Sequence, residues 1–81
     1  MRVRLLHFAS FRDSLGRDEE IRDLPPGTRV RDLWIALQGE VPSFRAFASA
    51  PPAAVNRQYA TPDTVLAEGD ELAFLPPVAG G

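Results

Sequence analysis

The last residues of this 81-residue chain have the composition of an arm that carries a chemical group. They read Leu75-Pro76-Pro77-Val78-Ala79-Gly80-Gly81. The prolines favour an extended path, and the side chains then shrink until Gly80 and Gly81 leave a backbone that can enter a channel too narrow for a Cβ atom. The six residues after Leu75 can span roughly 20 Å. We therefore expect the carboxylate of Gly81 to be the reactive group, although chain ends are often frayed and composition alone leaves that alternative open.

Length and composition restrict what the rest of the chain can do. A chain of 81 residues with 44% hydrophobic and 25% charged residues is predicted to fold as one globular domain. The absence of cysteine excludes disulfides, thiolate metal sites and cysteine nucleophiles, and it fits a reducing compartment. No apolar run suggests a membrane span or a signal peptide, so a cytoplasmic location is expected.

Charge argues against a nucleic-acid partner. The net charge is −2, and the basic residues form no cluster that could neutralise several phosphates. All nine basic residues are arginine. Two interpretations remain open: a general preference for arginine, or a benefit to a carrier with an activated carboxyl end from lacking amine nucleophiles.

Hydrophobic periodicity predicts the first half of the fold. Alternation predicts a strand over residues 1–9, in which Leu6 and Phe8 break the polar side, so this end is covered on both faces or meets a partner. His7 is interpreted as a packed strand residue, because no second titratable group stands at a fixed spacing from it. A helical turn over 11–15, closed by a left-handed Gly16, leads to an antiparallel strand over 20–24.

One amphipathic stripe predicts the main helix, with Trp34 in the core. Its members are Val30, Leu33, Trp34, Leu37 and Val41. We expect Thr28 to cap the helix, Asp32 to favour its first turn, and Gly39 with Pro42 to end it.

The second half is predicted to contain a short helical turn, one strand, two tight turns and a closing strand. The helical turn covers 44–48, and the strand covers 53–60 with Val55, Arg57 and Tyr59 on one face and Asn56 at a turn or edge position. Residues 61–64 form one tight turn, and Gly69 takes a positive φ in the other. The closing strand runs over 71–75.

This order of elements favours an α+β fold of the ubiquitin-like β-grasp type, a small mixed sheet crossed by one main helix. The first and last strands lie side by side, with the last strand central. We place the domain at residues 1–75 and a flexible tail at 76–81.

The closing strand also predicts a surface for partners. If Leu72 and Phe74 face the core, Ala73 and Leu75 face outward and can form an apolar docking patch with Tyr59 beside Pro76 and Pro77. In the alternative, Tyr59 and Leu75 fill the edge of a small core.

The chain resembles the small, sulfur-carrier subunits of molybdopterin synthase along nearly its whole length. The matching motifs are Phe8-Ala9 followed by Arg12, the Val-x-Asp-Leu-Trp of 30–34, Ala54-Val55-Asn56, Gly69-Asp70-Glu71, and the tail of 76–81. Ala79 stands where the family commonly has Ser or Thr, and Arg29 stands where it often has Thr, which affects only the helix cap.

This resemblance implies a carrier that is not an enzyme on its own. Gly81 would be adenylated by an activating partner of the E1-like adenylyltransferase type, using ATP and Mg²⁺, and a sulfurtransferase would supply sulfur for a thiocarboxylate. The large subunit, in a heterotetramer of two small and two large chains, would accept Val78, Ala79 and Gly80 in a channel and direct the sulfur to cyclic pyranopterin monophosphate. No cofactor or metal would be bound permanently.

Other functions use the same fold and the same ending. Related carriers serve thiamine synthesis or tRNA thiolation, and a ubiquitin-like modifier would share the activation chemistry but form isopeptide bonds with lysines. A plain interaction module would need no covalent chemistry at all.

Overall fold

A computed structural model describes residues 1–77 of the chain as five strands, two α-helices and one 3₁₀ helix. The strands are β1 (Arg2–Leu6), β2 (Glu19–Asp23), β3 (Ala53–Val55), β4 (Gln58–Ala60) and β5 (Glu71–Phe74). The α-helices are α1 (Ala9–Leu15) and α2 (Val30–Glu40), and the 3₁₀ helix covers Pro42–Ala46. The predicted tail residues Val78, Ala79, Gly80 and Gly81 lie outside the described residues.

The strands form one mixed sheet in the order β2-β1-β5-β3-β4. β1 pairs antiparallel with β2 and parallel with β5, while β3 pairs antiparallel with both β5 and β4. This topology confirms the predicted β-grasp, including the neighbouring first and last strands. β5 is the central strand, so the residues that lead into the arm are paired on both sides.

Two predicted strands differ from the structure by more than one residue at an end. β1 ends at Leu6, and α1 starts at Ala9 and is longer than the single turn we predicted. The prediction of one strand over 53–60 is wrong, because Asn56 and Arg57 adopt φ angles of 52° and 68° and turn the chain into the hairpin β3–β4. Positive φ at both central residues is the signature of a two-residue hairpin turn.

The start of α2 also differs from prediction, because a neighbouring turn supplies the capping groups. The backbone N–H groups of Val30 and Arg31 donate to the carbonyl oxygens of Thr64 and Pro62, both at 3.0 Å. The Thr28 hydroxyl donates to Pro25 O at 2.7 Å and does not cap the helix. The helix was predicted to end at Gly39 and Pro42, and it ends between them at Glu40.

The inner face of the sheet packs on α2 around a cluster of aromatic rings. Trp34 is buried, as predicted, with its ring centroid 5.1 Å from that of Phe44 and 5.2 Å from that of Phe74. Phe11 of α1 lies 4.9 Å from Phe44, also between ring centroids. Leu72 is fully buried beneath this cluster, so β5 is anchored in the core by alternate side chains.

Candidate functional site

Hydrogen bonds fix β5 at both of its ends, and they therefore fix the base of the arm. At the start, the N–H of Glu71 donates to Asn56 Oδ1 at 3.0 Å, and Asn56 Nδ2 donates to Asp70 Oδ1 at 2.9 Å. Beyond the strand, the N–H of Leu75 donates to Pro52 O at 2.8 Å. Gly69 has φ 82°, as predicted, and turns the chain into the strand. Leu75 therefore has a defined position relative to the sheet.

An apolar row crosses four strands on the face of the sheet away from α2. Leu6 lies opposite Ala73, Ala73 opposite Ala54, and Ala54 opposite Tyr59. Directly paired residues share a face of a sheet, and Leu75 follows on the same face. We call Leu6, Ala54, Tyr59, Ala73 and Leu75, with the adjoining Phe8, the outer apolar face.

The outer apolar face is partly open to solvent. Tyr59 is 85% exposed and Phe8 is 47% exposed, while Leu6 and Leu75 are half-buried. The alternative in which Tyr59 fills the edge of the core is therefore wrong. Ala73 faces outward, as predicted, but it is only 7% exposed. Its small side chain lies at the bottom of the row between larger neighbours, so it contributes shape more than area.

Three depressions meet at Leu75, of which the smallest also contacts Ala54, Arg57 and Tyr59. A groove of about 580 Å³ runs between the loop 47–52 and the segment 75–77, with Tyr59 in its lining, so the structure brings together Tyr59, Leu75, Pro76 and Pro77 as predicted. A second depression of about 250 Å³ lies between Leu6, Phe8, Ala54, Arg57, Glu71, Ala73 and Leu75. Sequence reasoning missed Ala54 and Arg57, because it placed them on a single strand where the structure has a hairpin.

The remainder of the outer face carries charged residues around Ile21, which lies opposite Arg4 and is 59% exposed. Arg4 Nη2 lies 2.6 Å from Glu71 Oε2, and Arg2 Nε lies 3.4 Å from Asp23 Oδ1. The pKa of Arg4 is raised, first by the hydrogen bond to Glu71 and then by the charge of that carboxylate. The face is thus divided into an apolar half beside the arm and an ion-paired half away from it.

His7 belongs to an ionic network that ties β1 and β2 to α2. It is 5% exposed, and its Nε2 lies 2.8 Å from Glu20 Oε2. The Arg22 guanidinium donates from Nε to Glu20 Oε1 at 2.8 Å and from both terminal nitrogens to Glu40 at 2.6 Å. Sequence reasoning missed the partner of His7, because Glu20 lies 13 positions further along the chain.

This network sets the ionisation of its members. Burial favours the neutral form of Glu20, but the hydrogen bonds from Arg22 and His7 outweigh it and hold the pKa of this carboxyl below its usual value. The pKa of Arg22 is raised, chiefly by its hydrogen bond to Glu40 and against the effect of burial. Both residues are therefore charged at neutral pH, and His7 is part of this structural arrangement, as interpreted from the sequence.

The sequence pattern of the ThiS family matches residues 5–81, which is nearly the whole chain. The chain belongs to the ThiS family. Among its relatives is the molybdopterin synthase sulfur carrier subunit of Mycobacterium tuberculosis, which is 37% identical over 83 aligned positions covering 100% of this chain and 99% of that protein. The resemblance to small subunits of molybdopterin synthase is thereby confirmed.

Solved structures show the same fold. A Pyrococcus furiosus protein assigned as molybdopterin converting factor subunit 1 superposes with a TM-score of 0.82 at 35% identity, covering 96% of this chain and 99% of the other. Haloferax volcanii SAMP1 superposes with the same TM-score of 0.82 at 26% identity and full coverage of both chains. Within residues 1–77, no helix is long and apolar enough to cross a membrane.

Proposed function

We propose that this ThiS-family chain is the sulfur carrier subunit of a molybdopterin synthase in molybdenum cofactor biosynthesis. The observation that carries the proposal is the full-length match to sulfur carrier subunits in a chain whose central strand leads directly into Pro-Pro-Val-Ala-Gly-Gly. A carrier needs a rigid body that partners can hold and an arm that can reach into them. The paired β5 meets the first need, and the length of 76–81 allows a reach of roughly 20 Å when extended.

The proposed chemistry takes place on the carboxylate of Gly81. A carboxylate is a poor electrophile, so an E1-like adenylyltransferase would join it to the α-phosphate of Mg²⁺-bound ATP and release pyrophosphate. The terminal sulfur of a persulfide on a sulfurtransferase would displace AMP to form an acyl disulfide. A second thiol would then cleave the S–S bond and leave a thiocarboxylate on Gly81, a 1-thioglycine.

Sulfur delivery would occur in the large subunit, within a heterotetramer of two small and two large chains. The arm would place the thiocarboxylate beside cyclic pyranopterin monophosphate, and two deliveries would build the dithiolene. The acid-base groups and the nucleotide site would belong to the partners. Gly80 and Ala79 would pass through the narrow part of the channel because they have little or no side chain.

The outer apolar face is the proposed docking surface for these partners. Tyr59 and Leu75 lie beside the base of the arm, and exposed aromatic anchors commonly concentrate binding energy at the centre of an interface. One chain must visit the activating enzyme and the large subunit in turn. We therefore infer that both partners use this surface.

Intact-mass analysis of the native chain, co-expressed with the activating enzyme of its own host, tests the proposal. The expected result is replacement of one oxygen by sulfur at Gly81. The thiocarboxylated chain should then support molybdopterin formation when mixed with the large subunit and cyclic pyranopterin monophosphate. Absence of the sulfur-bearing species with an active activating enzyme would contradict the proposal.

A second candidate function is that of a ubiquitin-like protein modifier. It is favoured by the likeness to the small archaeal modifier protein 1 of Haloferax volcanii, of which a second structure is 27% identical to this chain and superposes with a TM-score of 0.79. Both functions begin with adenylation of Gly81, so activation alone does not separate them. Covalent conjugates of the chain with lysines of host proteins would favour the modifier.

A further inference from the structure

Arg57 occupies a backbone position that usually selects glycine. It is the second central residue of the β3–β4 turn and has φ 68°, next to Asn56 with φ 52°. Turns of this geometry strongly prefer Asn-Gly, because a Cβ is unfavourable in the left-handed region. The arginine side chain is thus held at a position where the backbone would be more relaxed without it, a pattern that often marks functional residues.

The side chain of Arg57 reaches the outer apolar face. It lines the depression formed with Leu6, Phe8 and Leu75, and it also lines a smaller one with Ala54, Tyr59 and Leu75. Among the residues that line these two depressions, Arg57 is the only cation.

Arg57 also differs from the other arginines in its partners. Within residues 1–77, the other arginine side chains each make an ion pair or a hydrogen bond, and Arg57 makes neither. The acidic residue that lines the same depression, Glu71, is engaged by Arg4 at 2.6 Å. Within residues 1–77, the charge of Arg57 is therefore left without a partner.

We propose that Arg57 is a recognition residue that pairs with a carboxylate on the protein partner seated on the outer apolar face. A planar guanidinium binds a carboxylate through two parallel hydrogen bonds. The surrounding side chains, Leu6, Phe8, Ala54 and Leu75, fit a protein surface that presents an Asp or Glu beside apolar residues. The inference rests on the proposed function, since it names the chemistry by which the docking surface selects its partners.

Binding measurements with the purified large subunit and the purified activating enzyme test this inference. Arg57→Glu reverses the charge, and Arg57→Gly removes the side chain while relaxing the turn, so the second variant should fold at least as well as the parent. Arg45→Glu is the matched control, since it makes the same charge change at an exposed arginine whose Nε donates to Gln38 O on a different element. Thermal unfolding is measured for each chain.

We expect Arg57→Glu to weaken binding to at least one partner by roughly tenfold to a hundredfold and Arg57→Gly by roughly threefold to tenfold. The parent should lose affinity with added salt more steeply than Arg57→Gly, and Arg45→Glu should stay within about twofold of the parent.

Affinities within about twofold of the parent for both Arg57 variants, with both partners, would overturn the inference. If Leu75→Glu still abolishes binding in that case, the docking surface stands and only the role of Arg57 fails. If neither Leu75→Glu nor the Arg57 variants affect binding, the proposed docking surface fails as well. A loss confined to the activating enzyme and present only with ATP would assign Arg57 to a nucleotide phosphate, contrary to the inference.

Discussion

Truncation of Tyr59 tests most directly whether the outer apolar face serves docking or supports the fold. Its side chain is 85% exposed, so Tyr59→Ala removes few contacts within the domain. We expect the free energy of unfolding to fall by less than about 1 kcal/mol, most of it from the lower strand propensity of alanine. Tyr59→Phe keeps the ring and serves as the matched control.

The loss of binding should be much larger than the loss of stability. A tyrosine side chain offers about 150–250 Å² for burial, and most of that area is still available here. At about 25 cal/mol per Å², complete burial in a partner would contribute roughly 3–5 kcal/mol before the costs of association. Allowing for those costs, we expect Tyr59→Ala to weaken binding by about 2 kcal/mol, or roughly thirtyfold.

Titration calorimetry measures the affinity of each variant for the large subunit and for the activating enzyme. Denaturant unfolding of the free chain measures its stability. Two results would refute the reasoning. One is affinity for both partners within twofold of the parent, which removes Tyr59 from the interface. The other is a loss of more than about 2 kcal/mol in unfolding free energy, which would show that the ring supports the fold.

Three further predictions concern the arm and the ionic network. Deleting Gly81, extending the chain by one residue, or making Gly80→Val should abolish thiocarboxylate formation, measured by intact mass, with the melting temperature unchanged; normal thiocarboxylation of the extended chain would contradict this. His7→Gln should lower stability by about 1 kcal/mol at most and leave sulfur transfer nearly unchanged, so lost turnover at constant melting temperature would show a role in transfer. The pKa of Glu20 is lowered in the folded chain, so its ionised carboxylate stabilises the fold. This stabilisation is complete above pH 4.5, the usual pKa, and is lost as the pH falls through the pKa of the folded state. Glu20→Gln should therefore destabilise by about 1–3 kcal/mol at pH 7 and by progressively less as the pH falls below 4.5 in urea unfolding, and a loss that does not change with pH would exclude this linkage.

The overall architecture could be predicted because it depends on patterns that are local in sequence. The apolar stripe around Trp34 fixed the helix, and Gly16 and Gly69 marked two turns by their left-handed conformation, both found in the structure. A helix and a hairpin with these lengths have few ways to bury their apolar faces, which restricts the topology. The position of the last strand followed from those restrictions.

The errors have two sources, an unrecognised local turn and contacts made by distant segments. The β3–β4 turn was missed because Arg57 stands where a two-residue hairpin turn usually has glycine. Thr28 was a reasonable cap, but the turn at 61–64 supplies carbonyl oxygens to the first N–H groups of α2. The pairing of His7 with Glu20 could have been inferred from the β1–β2 register, in which Leu5 lies opposite Glu20.

The outer apolar face includes Ala73 of β5 and Leu75 just after this strand, and the arm follows at once. This arrangement restricts every partner that uses the terminus. A partner that holds Tyr59 and Leu75 also fixes the point from which the chain leaves the domain, because Leu75 is hydrogen-bonded to Pro52 at 2.8 Å. The six remaining residues can span roughly 20 Å at most. The reacting centre of such a partner must therefore lie within that distance of its contact with Leu75. Different chemistries on one carboxylate then require partners that share a docking geometry and differ in what they place at the end of the channel.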